Sequence, residues 1–142
     1  VRGNCGVGFA PAKPSQHDWL IGLMEGVEDI PGSALAEGIK WEWESFPEYM
    51  DALESKQRVL DIAAQVPHGA VRVYEMGERG ATDEAANEAD RAGMGKIVAE
   101  AITAGAVGFT TSRTVLHRSV DGDVVLGTDA DALEPLDIGR AM

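Results

Sequence analysis

Gly3-Asn4-Cys5-Gly6 holds the only cysteine of a 142-residue chain, bracketed by two glycines. A thiol acts as nucleophile or metal ligand through its thiolate and needs access to do so. Glycines on either side let the backbone approach a ligand closely. Taken alone, the residue fits a small buried hydrophobe equally well. A second set of chemistry-bearing side chains lies further along: His68 after an apolar run, then Ser112, Arg113, His117 and Arg118 crowded into one tract. Cations grouped in that way suit a carboxylate-bearing substrate. No P-loop, G-x-G-x-x-G or H-E-x-x-H motif is present.

Composition limits what such a site could serve. Twelve basic against 24 acidic residues give a formal charge of -12, which disfavours nucleic acid and anionic membrane as partners. Apolar residues make up 44% of the chain, and no run reaches the length of a membrane span. A single cysteine excludes an internal disulfide framework, and no signal peptide is read at Val1-Arg2-Gly3, so the expectation is a cytoplasmic protein.

These residues need elements to position them. Ser15 to Val27 reads as a helix with Ser15 as N-cap and Asp18 closing a capping box. Its face of Trp19, Leu20, Leu23, Met24 and Val27 is a core stripe. From Glu28 to Trp43 there is no clean period, which predicts a long loop, with Trp41 and Trp43 covering a core edge. Ser45-Phe46-Pro47-Glu48 opens a short second helix on a second capping box. Val59 to Val66 reads as a strand buried on both faces, and Ala70 to Met76 as another β-favouring patch. Asn87, with Asp90 at the third position, starts a third helix that runs to Ala104 and stops at Gly105. Residues 106–111 then read as a strand and 112–128 as a long loop containing an Asp121-Gly122 turn. The last helix spans Pro135 to Met142, with the proline in its first turn. Helix, glycine, strand in that order is the rhythm of a βα-barrel or a doubly wound sheet. Binding faces of such folds lie at the carboxyl ends of the strands, where Cys5, His68 and Thr111-Ser112-Arg113 would all open.

Five blocks in order carry a resemblance: Gly3-Asn4-Cys5-Gly6-Val7-Gly8-Phe9-Ala10-Pro11, Leu23 to Pro31, Glu44 to Tyr49, Gln65 to Gly77, and Ala104 to Thr114. Together they resemble the N-acyl-D-amino-acid deacylases, D-aminoacylase-like members of the amidohydrolase superfamily, over essentially the whole chain. The resemblance implies an α/β fold, a (β/α)8 TIM barrel, in which water activated by one or two zinc ions hydrolyses the amide of a small N-acyl amino acid. It also implies that Cys5 is a metal ligand, in the bridging role that a carboxylated lysine fills in other relatives. The tract 106–111 contains no lysine, which fits. A His-x-His pair would precede Val1, and two metal histidines and the acid/base aspartate would follow Met142. Residues 1–142 are then expected to be an internal piece of the barrel, about its second to fourth βα units, inactive and aggregation-prone when isolated. His68, Ser112, Arg113, His117 and Arg118 are the candidate substrate-binding residues. Two other functions remain open: a small acidic α/β binding domain in which Cys5 is merely buried, and an amidohydrolase acting on a cyclic amide or urea-type bond.

Overall fold

Seven α-helices and two short strands make up the regular elements of the described residues of the computed structural model, which are residues 1, 3–119 and 121–142. A 3-10 turn, Pro14–Gln16, leads into α1 (His17–Glu28). It is followed by α2 (Gly32–Gly38), α3 (Phe46–Glu54), β1 (Val66–Pro67), α4 (His68–Met76), α5 (Glu78–Ala81), α6 (Glu88–Thr103), β2 (Phe109–Thr110) and α7 (Leu133–Ala141). β1 and β2 pair in parallel with Val66 opposite Phe109, and α6 supplies the crossover that a parallel pair requires. This mixture is an α/β fold. No helix among the described residues is long and apolar enough to cross a membrane.

Capping chemistry sets the clearest boundaries. At α3, the Glu48 amide donates to Ser45 Oγ at 3.4 Å while Glu48 Oε2 accepts from the Ser45 amide at 2.8 Å. The amides of Ser45 and Glu44 hold the Glu48 carboxyl below its ordinary range. α6 repeats the device: the Asp90 amide donates to Asn87 Oδ1 at 3.0 Å, and the Asn87 amide donates to Asp90 Oδ2 at 2.9 Å. Each such cap satisfies amides that no helical carbonyl can reach and contributes about 1 kcal/mol.

The main core gathers Phe46 of α3, Val66 of β1, Val71 and Met76 of α4, Met94, Val98 and Ala101 of α6, and Ile138 of α7. Burying a side chain the size of Phe46 stabilises the fold by about 2–3 kcal/mol. α7 is tied to α6 by Arg91 Nε donating to Asp137 at 2.8 Å. Two smaller clusters, Val7 with Leu23 and Val125, and Ala12 with Leu20 and Ala70, fasten α1 and the N-terminal segment to this body.

Several expected boundaries shift for identifiable reasons. The expected cap Ser15 lies inside the 3-10 turn, which starts after Lys13, whose amide donates to Gln16 Oε1 at 2.9 Å, and α1 then follows with Gln16 at its N-cap. Pro14 takes the first position that proline favours and draws Ser15 into the turn. The expected loop before Trp43 contains α2, a helix without a buried residue and so without an apolar period to betray it. The expected strand 59–66 is confined to its last residues. Val59 is fully exposed and Leu60 is 77% exposed, because the ladder begins only at Ala64, whose carbonyl accepts from Val107 N, and Val66, whose amide donates to Gly108 O. Residues 106–111 likewise shorten to β2. The patch 70–76 is helical: six consecutive residues, 68–73, are buried, and enclosure on all sides overrides the β-preference of Val71 and Val73. The last helix begins at Leu133, with Pro135 in its first turn as expected.

Candidate functional site

The turn carrying Cys5 is seated where both strands end. The Gly69 amide, in the first turn of α4, donates to Gly6 O at 3.1 Å, which gives a partner to a helix-start amide. Thr110 Oγ1 donates to Gly3 O. Gly6 has φ +75°, and a Cβ there would lie 2.9 Å from the Ser112 amide nitrogen. A side chain would therefore push the turn off β2 even if the backbone tolerated it. Cys5, the start of α4 and Thr111-Ser112 thus meet at the carboxyl ends of β1 and β2, the position where α/β folds bind ligands.

Cys5 is half-buried, packs beside Val7, Leu23 and Val125, and lies on the wall of a cavity of about 620 Å³. Its thiol donates to Glu28 Oε1 at 3.7 Å. Burial pushes the thiol's pKa up and the Glu28 charge adds to the effect, against the Val7 amide, which favours the thiolate. The balance favours the thiol over the thiolate, so Cys5 is not activated as a free nucleophile. A structural or catalytic zinc takes three or four protein ligands, and no group of three His, Cys, Asp or Glu able to hold a metal stands together among the described residues. The residues present do not by themselves fit a metal centre; what they offer is one soft donor.

Behind the turn is a buried polar cluster. His68, Arg72 and Glu134 are 1%, 1% and 2% exposed. His68 Nε2 lies 2.6 Å from Glu134 Oε1, and Arg72 reaches both Glu134 oxygens at 2.6 Å. Arg72 also donates to Glu84 O at 2.6 Å and lies 3.5 Å from Asp83. Burial works to raise the Glu134 carboxyl's pKa, but the hydrogen bonds and charges of His68 and Arg72 outweigh it and hold the group below its ordinary value. His68 Nδ1 lies 2.8 Å from Thr111 Oγ1. Gly127, at φ +82°, covers the ring so closely that a Cβ there would stand 2.5 Å from Nδ1.

The cations Arg113 and Arg118 are placed differently. Arg113 is exposed and donates to Thr128 O at 3.3 Å and Ala130 O at 2.7 Å. Arg118 donates to Gly122 O at 2.6 Å within a tight turn, and Ser112 Oγ is 3.4 Å from His117 Nδ1. Among the candidates from the sequence, the structure brings Cys5, His68 and Ser112 to the strand ends. Arg113 leads away along the loop, and Arg118 sits in a separate turn. His68 has both nitrogens engaged and contacts the surface through Thr111.

Arg72 and Glu134 were not among those candidates. A helical reading of 68–76 would have placed His68 and Arg72 on one face at i and i+4. Glu134 carries only the signal of an acid at a helix start, and its partner His68 lies 66 residues away in sequence.

A family model described as the amidohydrolase family matches residues 1–136. A D-aminoacylase from Alcaligenes xylosoxydans xylosoxydans is 32% identical over 113 residues, covering 78% of this chain and 20% of that protein. The chain spans about a fifth of the length of this curated relative. No solved structure matches it.

Proposed function

Since the chain belongs to the amidohydrolase family, we propose that residues 1–142 are about the second to fourth βα units of a TIM barrel in an enzyme that hydrolyses the amide bond of N-acyl-D-amino acids. The observation that carries this reading is the seating of the Cys5-Gly6 turn on the carboxyl ends of two parallel strands, with Cys5 on a cavity wall. The similarity to a D-aminoacylase supports the substrate class. In this reading Cys5 is the ligand that these residues add to a zinc site completed by the rest of the protein. Two of the five N–H groups of Arg113 are occupied by carbonyls, so an exposed edge remains to receive the substrate carboxylate. Ser112, His117 and Arg118 border the same loop, and His68 supports it from below.

The test is Cys5→Ser in the full-length protein, with zinc counted by elemental analysis beside deacylase activity and circular dichroism. Loss of metal and of nearly all turnover with the fold retained is expected, and Cys5→Asp should keep part of both. Full metal content and normal turnover in Cys5→Ser would reduce the cysteine to packing against Val7, Leu23 and Val125, and would favour a binding domain without chemistry.

A further inference from the structure

The cavity beside Cys5 is larger than the simplest substrate of the proposed reaction requires. Its volume of about 620 Å³ falls among sites that enclose whole small-molecule ligands, about 300–1,000 Å³, whereas an acetyl group ends in a single methyl. The side chains on its wall are mainly apolar, among them Met24 of α1, Ile30, Leu35 of α2, Ile39, and Phe46 and Leu53 of α3. α2 has no buried residue, so what Leu35 faces is this cavity and not the core. Three charged residues also line it. Lys40 and Lys56 are exposed, and Lys56 is paired with Glu42 at 2.6 Å. Glu28 stands against the thiol, its Oε1 3.7 Å from Cys5 Sγ.

These walls discriminate between the two halves of an N-acyl amino acid. Its carboxylate sits on the carbon next to the amide nitrogen. With the amide reacting beside Cys5, an amino-acid half placed in the cavity would bring that carboxylate up to Glu28, like charge against like. The acyl half carries no charge, and each methylene that it lays on the apolar wall leaves water at a gain proportional to the area covered. We propose that this cavity is an acyl-chain pocket, and that the substrates are N-acyl amino acids whose apolar acyl chain is several carbons long. The amino-acid half then stays outside the cavity, where Arg113, which does not line it, is available to the carboxylate. The inference rests on the hydrolase reading above and deepens it by naming the acyl group.

The experiment measures kcat/KM of the full-length protein on one D-amino acid carrying an acetyl, butanoyl, hexanoyl or octanoyl group. In wild type the value should rise roughly threefold to fourfold per added methylene until the pocket is filled. Leu35→Trp narrows the pocket from a half-buried position. The ratio of octanoyl to acetyl is taken within each protein so that a general loss of activity cancels. It should fall about tenfold or more in Leu35→Trp and keep its wild-type value in Leu35→Met, a substitution of similar volume. A wild-type series that is flat or falls beyond acetyl, or a ratio that Leu35→Trp leaves intact, would overturn the pocket while the hydrolase reading stands. A gain that follows the length of the amino-acid side chain instead of the acyl chain would overturn it in the same way. A wild-type protein that turns over no member of the series would overturn the hydrolase reading, and this inference with it.

Discussion

Arg72 and Arg113 each follow one of the two paired strands, and their surroundings differ in every physical respect. Arg72 is 1% exposed, grips Glu134 through both carboxylate oxygens and reaches Glu84 O, with Asp83 beyond. Its Nε is buried with no partner among the described residues. Arg113 is exposed and rests on two backbone carbonyls. A buried cation needs a buried counter-charge, because the interior gives back little of the solvation that was lost. An exposed cation needs only dipoles and water, and it keeps donors in reserve. In a chain of net charge -12, the cations available to an anionic ligand are therefore those that burial has not already committed.

The comparison can be broken most severely at Glu134. Glu134→Ala leaves Arg72 buried without its carboxylate and should destabilise the fold by about 3–5 kcal/mol, measured as a shift of the urea midpoint at constant m-value. An effect below about 1 kcal/mol would mean that water reaches Arg72 and that the two arginines differ less than their exposure suggests.

Acid sharpens the same contrast. The Glu134 carboxyl has its pKa lowered in the folded state, so its contribution is fully present above its unfolded value of 4.5 and is lost as the pH falls through the lower folded value. Unfolding free energy should therefore decline below about pH 4.5. Asp90, also lowered, chiefly by its hydrogen bond from Arg79, adds to that limb. Glu134→Gln should start from lower stability at neutral pH and show a shallower acid decline. A decline as steep as in wild type would move the acid sensitivity away from the cluster.

At the mild end, Arg113→Ala should cost about 1 kcal/mol of stability or less. It should raise KM for a carboxylate-bearing N-acyl-D-amino acid more than for the corresponding carboxamide. Equal KM changes on the two substrates would remove Arg113 from carboxylate recognition.

What the sequence disclosed follows the range of the interaction responsible. Ser45 with Glu48, and Asn87 with Asp90, are three residues apart and locally determined, so α3 and α6 appear where expected. Pro135 marks the first turn of α7 for the same local reason. The run from Val59 failed as a strand because apolar content cannot say whether a partner is present. The tract 70–76 failed because Val71 and Val73 carry β-preference while their burial comes from elements distant in sequence. At the site, Cys5 between glycines was legible as a residue built for close approach, and His68 and Ser112 were legible as strand-end residues. The Arg72–Glu134 pair was not, since nothing local to Pro135 announces that the residue before it will be drawn into the interior by α4. Thr111 was legible as a station, but its contact with His68, and through it with Glu134, is one that only the folded chain makes.

Gly127 turns the buried cluster into a rule of inheritance. Its backbone conformation and the 2.5 Å approach to the His68 ring oppose any side chain there for two separate reasons. A lineage that replaced His68 with a smaller side chain would lift only the second of these, because φ would still be +82°. A side chain at 127 therefore meets the backbone strain whatever occupies position 68, and meets the ring as well while His68 is present. His68 and Gly127, far apart in the sequence, are thereby coupled through one contact, and the loop around Gly127 is held to the path that leaves the ring its room.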